Sequence, residues 1–190
     1  MRIATIHRHP ERAVPEEIAT ILAQGYVAHV AYVQDGAPQV LPTLYHYGPE
    51  APATLYLHGA PASAMMKDLA RGTQVCVSVA LIDGLVFSRS AKYHSANYRS
   101  VVLAGHTQVI AEAAAKEAIF ERMIARYFVG RTVHEDYAPA EMEHLRGVAL
   151  IAVDIEEWSG KARRGGPKGP LDDDPTAPGT SGIAPITHDE

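Results

Sequence analysis

Cysteine is almost missing from this chain. Cys76 is the only one in 190 residues, so no disulfide can form within the chain, and a reducing cytosol is the expected setting. It lies inside the apolar run VCVSVA, where a buried small hydrophobe is the expected role. Positive charge is also scarce: the formal net charge is −5, which leaves no basic footprint for a general nucleic-acid binder. No stretch approaches the ~18 consecutive apolar residues that would span a membrane, and MRIATIHRHPERAVP at the N-terminus lacks the apolar core of a signal peptide. The expectation is a soluble cytoplasmic protein with no nucleic-acid or membrane partner. Several motifs are lacking too. There is no Walker loop, no G-x-S-x-G elbow and no G-x-G-x-x-G after a strand. The ten histidines are scattered and match no zinc spacing, so no metal site is expected.

What remains is an ordinary globular composition, 47% hydrophobic and 21% charged. PEEIATILAQ (15–24) starts with proline and two glutamates and is followed by Gly25, which predicts a helix. YVAHVAYV (26–33) reads as a strand, Asp35-Gly36 as a turn, and PQVLPTLYHYG as a second strand in which Pro42 demands an edge, a bulge or a missing ladder bond. ATLYLHG is a third strand, followed by a short helix at about 62–71. TQVCVSVALIDGLVFS reads as one long strand or a bent pair with Asp83-Gly84 at the bend. RSAKYHSANY is loop, 98–110 strand, 111–127 helix by its apolar spacing, 139–146 a short helix, and GVALIAVDIEEW a final buried strand. Six or so strands in short-linked runs, without βαβ alternation, predict a mainly β fold with helices, a small antiparallel barrel. The domain is expected to cover 1–165. A Pro/Gly/Asp-rich tail, 166–190, has too little apolar surface to fold alone and is expected to be extended or disordered, or ordered on a partner.

Three places could carry chemistry. In LYLHGAPASAMMKDL (55–69) a strand breaks at His58-Gly59 and a helix starts near Ser63, with Lys67 one turn on. Unpaired N–H groups at such a corner suit an anion, although a plain capped turn has the same appearance. In HSANYRSVV (94–102), Arg99 opens an otherwise apolar strand face and either grips a phosphate or pairs with a carboxylate. In EEWSGKARRGGPK (156–168), Trp158 precedes a cationic run, which suits a flat anionic ligand or a solvated tail.

Taken in order, G-Y-V-A-H-V-A, D-G-x-P-x-V-x-P, L-Y-L-H-G, H-S-x-N-Y-R-S-V-V and W-S-G-K resemble the pyridoxamine 5′-phosphate oxidase-like flavoproteins. The resemblance is strongest to the flavin-nucleotide-binding branch that includes the nitroimidazole-resistance proteins. It runs from about residue 15 to 165. It implies a six-stranded antiparallel split β-barrel that forms a homodimer with FMN sites at the subunit interface. By the same resemblance Leu41, Pro42 and Thr43 lie near the isoalloxazine ring, and Leu57, His58, Gly59, Ser63 and Lys67 form the corner that holds the cofactor. Tyr98, Arg99 and Ser100 come to the flavin or the interface, and Trp158 and Lys161 approach from the last strand. No catalytic residue is assigned, His58 being the candidate hydrogen-bond donor. Two departures matter. Ala64 and Met65 follow Ser63 where the oxidases have Ser-Arg-Lys, and the oxidases' Arg-Leu-His-Asp-Arg pattern is replaced by GKARRGGPKG. Both argue against vitamin B6 oxidation.

The resulting expectation is an FMN-dependent oxidoreductase acting on a small electron-poor substrate, a nitroaromatic or a quinone. The alternatives are a non-catalytic flavin carrier or redox sensor, a haem-binding barrel with a histidine axial ligand, and a binder of the deazaflavin F420.

Overall fold

The structure is a computed structural model that describes Ile6 and residues 8–186. Two 3-10 turns, Pro10–Arg12 and Pro15–Glu17, lead into α1 (Ile18–Gln24). The predicted helix at 15–24 is therefore present, with a first turn tightened by Glu17 N–H donating to Val14 O at 3.1 Å. The chain continues as β1 (Val27–Gln34), β2 (Ala37–His46), β3 (Thr54–Gly59), α2 (Ala64–Leu69), β4 (Gln74–Phe87), β5 (Ser95–Val109), α3 (Ala113–Tyr127), α4 (Met142–Arg146), β6 (Ala149–Arg163) and β7 (Gly182–Pro185). The strands are ordered β1-β2-β3-β6-β5-β4-β7, and β1 also pairs with β4, so six of them close into a ring with β7 added at β4. This is the mainly antiparallel barrel expected from the strand pattern, in the split form that the resemblance implies. Among the described residues no helix is long and apolar enough to cross a membrane.

The chain divides into two compact units, and β4, β5 and β6 each contribute residues to both. The first comprises Tyr26–Ser78 and Leu103–Trp158. Its core comes from strand alternation: Ala28, Val30 and Tyr32 on β1, Leu55 and Leu57 on β3, and Val75 and Val77 on β4 are buried, while their neighbours turn outward. On β6 the alternation stops, and Leu150, Ile151, Ala152 and Val153 are all buried. Such a run needs cover on both faces; α3 supplies the second, where Ile119 and Met123 pack with Leu150 and Tyr56. Pro42 is accommodated by a missing ladder bond, one of the three alternatives expected. β2 pairs with β1 along Ala37–Leu44 but with β3 only at Tyr45 and His46, so the other side of β2 carries no ladder at Pro42.

The second unit comprises the described residues up to Gly25, Val79–Val102 and those from Ser159 onward. Val14, Ile18, Ile21 and Leu22 of the N-terminal segment are buried with Val79, Val86, Val101 and Ala162. Gly160 makes this packing possible, because a Cβ there would stand 2.7 Å from both Ile18 Cγ1 and the backbone oxygen of Val14. Three outcomes bear on the sequence expectation here. First, β4 is one continuous strand, the first of the two alternatives: Gly84 pairs with Pro185 of β7 and does not turn the chain. Second, β6 runs past Trp158 to Arg163, held by the bridge between Lys161 and Ala13. Third, the tail is extended but also anchored. Asp172 accepts from Ser88 Oγ at 2.9 Å, Arg89 N at 2.8 Å and Gly169 N at 2.6 Å, and Arg89 donates to Gly179 O at 2.7 Å. Backbone donors and a buried serine thus substitute for the apolar surface that the tail lacks.

Candidate functional site

The corner after β3 is built as its residues suggest. Ser63 is the N-cap of α2: its backbone is extended and its Oγ accepts from Met66 N at 3.3 Å. That bond uses the oxygen as acceptor and leaves the hydroxyl proton free to donate. Lys67 is exposed on the same helix. Gly59 has a packing reason, since a Cβ would meet Met66 Cε at 3.1 Å and Cγ at 3.2 Å. The side chain of Leu57 is fully buried in the core.

His58 faces the other way from Leu57, toward α3. Its ring meets Phe120 edge-on at 5.7 Å between centroids, and its Nδ1 is buried without a hydrogen-bond partner. Burial pushes its pKa below the ordinary value, so the imidazole is neutral near pH 7. A buried polar atom with no partner is uncommon and points to a ligand or a catalytic role. His46, on β2, provides a contrast. Its Nδ1 is also unpartnered, but its Nε2 meets Glu50 at 2.9 Å and its ring stacks on Tyr56 at 6.0 Å.

Leu41, Pro42 and Thr43 lie on β2 in the first unit, and Leu41 and Pro42 are exposed. The outward face of the β1–β2 hairpin around them is apolar: Val27 pairs with Leu44, His29 with Pro42 and Ala31 with Val40. Val27, Val33, Val40 and Leu44 are all exposed on that hairpin. Trp158, at the end of this unit's share of β6, is 43% exposed.

Tyr98, Arg99, Ser100 and Lys161 belong to the second unit. Arg99 makes the carboxylate pair that the sequence left as one of two options. Its Nε and Nη2 donate to Asp83 at 3.0 and 2.7 Å, and Nη1 donates to Gln24. Asp83 is the main reason the guanidinium pKa is raised. Ser100 Oγ donates to Lys161 O at 3.3 Å, which ties two of the expected residues together through a backbone oxygen.

Sequence reasoning missed Phe120 and the lock beside it. Arg126 of α3 stands 4.9 Å from the Tyr45 ring and 5.0 Å from the Tyr127 ring, and donates to Tyr45 O at 2.6 Å. Tyr127 Oη donates to the same oxygen, and burial raises the pKa of Tyr45 and of Tyr127. Only the apolar face of α3 was visible in the sequence, and nothing there said which strand it would cover. Among the described residues, no group of three or more His, Cys, Asp or Glu side chains is placed to hold a metal ion.

Comparison with known proteins gives a consistent picture. The flavocytochrome Anf3 from Azotobacter vinelandii superposes with a TM-score of 0.82 at 29% identity, over 97% of this chain and 84% of its own. The FAD and heme binding protein from Mycobacterium smegmatis gives 0.80 at 31% identity, over 92% of this chain and 82% of its own. A putative 5-nitroimidazole antibiotic resistance protein from Bacteroides thetaiotaomicron shares the fold, with a TM-score of 0.64 at 22% identity over 79% of this chain and 86% of its own. No curated protein matches the sequence significantly. The family model described as pyridoxamine 5′-phosphate oxidase matches residues 15–162, and with most of the folded chain covered, the protein belongs to the pyridoxamine 5′-phosphate oxidase family.

Proposed function

We propose that this chain is a flavin-dependent oxidoreductase that also binds haem, and that it works as a homodimer. The observation that carries the reading is His58. An unprotonated imidazole with an unpartnered buried nitrogen, set among apolar groups, is the form of histidine that ligates a haem iron. Two relatives that span more than nine-tenths of the chain are named for a flavocytochrome and for FAD and haem binding, which supports both halves of the proposal.

The residues fit a flavin in specific respects. Ser63 has a hydroxyl proton to donate and Lys67 an exposed ammonium beside it, both suited to a phosphate. Leu41 and Pro42 offer exposed apolar surface, and Thr43 a hydroxyl, to a flat ring. Arg99 is left out of the binding set, because Asp83 and Gln24 occupy its fork. When bound, the flavin supplies two-electron and one-electron transfer and the haem one-electron transfer. The chain's own contribution is to hold His58 neutral, to exclude water around it with Phe120, and to present donors to the flavin phosphate.

The dimer half of the proposal is supported by the β1–β2 hairpin. Val27, Val33, Val40 and Leu44 make an outward apolar face of a kind that soluble proteins cover. Pairing of that face in a second copy would bury it on both sides.

The test is to purify the full chain, record its spectrum, then denature it and weigh the released chromophores. The expected result is a flavin of FAD mass together with a Soret band. A flavin of FMN mass without haem would restore the narrower expectation of an FMN-dependent reductase for nitroaromatics or quinones. Protein that carries neither group and takes up neither on titration would overturn the reading.

A further inference from the structure

The second unit contains a cavity of about 220 Å³ at the end of β6, lined by Arg12, Arg163, Arg164 and Lys168 with Glu11 as the one acidic member. At ~30 Å³ per water in the liquid it has room for several waters, so an oxyanion can enter with part of its hydration. Arg164 and Arg12 are in ion pairs, with Glu17 and Glu11, so Arg163 and Lys168 carry the surplus positive charge here, in a chain whose net charge is −5. The cluster is built rather than incidental. Arg163 is only 9% exposed, and its Nη1 donates to Asn97 Oδ1 and to Gly165 O at 2.8 Å, its Nη2 to Gly166 O at 3.1 Å. These partners are uncharged, so the guanidinium is oriented while its positive charge is left unneutralised. Arg164 is paired with Glu17, and Arg12 Nε is 3.9 Å from Glu11, whose carboxylate also meets His9 Nδ1 at 3.0 Å. Lys168 has no hydrogen-bond or ion-pair partner among the described residues and is exposed at the rim.

We propose that this cavity is a binding site for a phosphate or diphosphate group. A buried, pre-oriented guanidinium supplies the fixed charge, and Lys168 and Arg12 supply movable cations that can close on the oxyanion. A monoanionic carboxylate would meet only one of the two cations left without an ion pair, Arg163 and Lys168, which is why a multiply charged oxyanion is the better match. The group has two conceivable sources, the phosphates of the protein's own flavin or those of a free phosphorylated small molecule. The site is made by side chains of one unit and stands with or without the flavin reading.

The test uses the full chain as purified and the variants Lys168→Ala and Arg12→Ala, singly and together. Lys168 is exposed and Arg12 partly exposed, and neither belongs to the buried core, so folding survives. Two quantities are read on each protein: bound flavin per chain, and the affinity for pyrophosphate and for orthophosphate at low salt by calorimetry. Loss of a charge-assisted hydrogen bond corresponds to at least about a tenfold weakening. If the variants bind pyrophosphate at least tenfold more weakly while flavin content is unchanged, the site takes a free phosphorylated ligand. If they instead lose flavin, the flavin's own phosphates occupy it. If the double variant changes neither quantity, the proposal is overturned. Failure of the flavin reading shows separately, as an absence of flavin in the wild type.

Discussion

His58 and Arg163 are both largely withdrawn from water, one in each unit, and the protein treats them in opposite ways. His58 is half-buried against Phe120, Nδ1 has no partner, and burial lowers the pKa so that the ring is neutral. Around Arg163 the chain supplies an asparagine and two backbone carbonyls. The difference follows from intrinsic basicity. An imidazole can shed its charge near neutral pH and tolerate an unmet acceptor, whereas a guanidinium stays charged and must be given oxygens. A neutral nitrogen kept in reserve suits a metal, and a solvated or carbonyl-held cation suits an anion.

The largest effect expected on this contrast comes from His58→Leu. Under the proposed function the Soret band on haem addition is abolished, while thermal stability is unchanged or slightly raised because an unpartnered buried nitrogen has been removed. Retained haem binding, or a loss of several kcal/mol, would show that His58 has a structural role instead. The same residue gives a pH prediction. Its folded pKa lies below the unfolded value near 6.5, so the unfolded state binds more protons in that window. Stability is then full above about pH 6.5 and falls as the pH drops through the window. Melting curves of the protein without haem from pH 7.5 to 5 should show this decline, and it should be shallower in His58→Leu.

Next in size is the Arg99 pair. Asp83→Asn should cost about 1–3 kcal/mol in denaturant unfolding, because Arg99 is then left partly buried with weaker partners. Flavin content should not change; a variant that loses flavin at full stability would return Arg99 to the cofactor site. Of similar size is Gly160→Ala, expected to cost about 1–3 kcal/mol since its Cβ would press on the backbone of Val14. Gly59→Ala should cost less than about 1 kcal/mol, because the atoms it meets are the movable end of Met66. Equal costs at the two glycines would contradict the packing described for them. Val40→Asp tests the dimer: sedimentation should move toward the monomer, with the monomer's fold retained.

Much of the fold was legible because it rests on local patterns. Asp35-Gly36 turns the hairpin with φ of 50° and 80°, and the proline inside β2 does lie where a second ladder is missing. The helical spacing of 111–127 emerged as α3. Between one long strand and a bent pair at Asp83-Gly84 the sequence did not choose; β4 is the single strand, and at Gly84 it pairs with β7, from a hundred residues later in the chain. The tail is extended, as one of the expectations had it, but its anchoring was not legible. Its composition is poor in apolar surface, and Asp172 finds donors at 88 and 89, far away in the chain, that no local pattern could announce.

The candidate site divides in the same way. Ser63 as a cap and His58 at a strand end follow from residue type and spacing, since both are properties of adjoining backbone. The choice between a carboxylate and a phosphate for Arg99 was open in the sequence and was decided by Asp83, sixteen residues away and across the sheet. The sequence by itself determined the ring of strands, the family and the corner after β3, because alternation, turns and caps act over a few residues. Only the tertiary structure decided which charges are met and which are left over, because desolvation and pairing depend on every neighbour in space. That is why His58 Nδ1 is unpartnered and why four cations share one cavity.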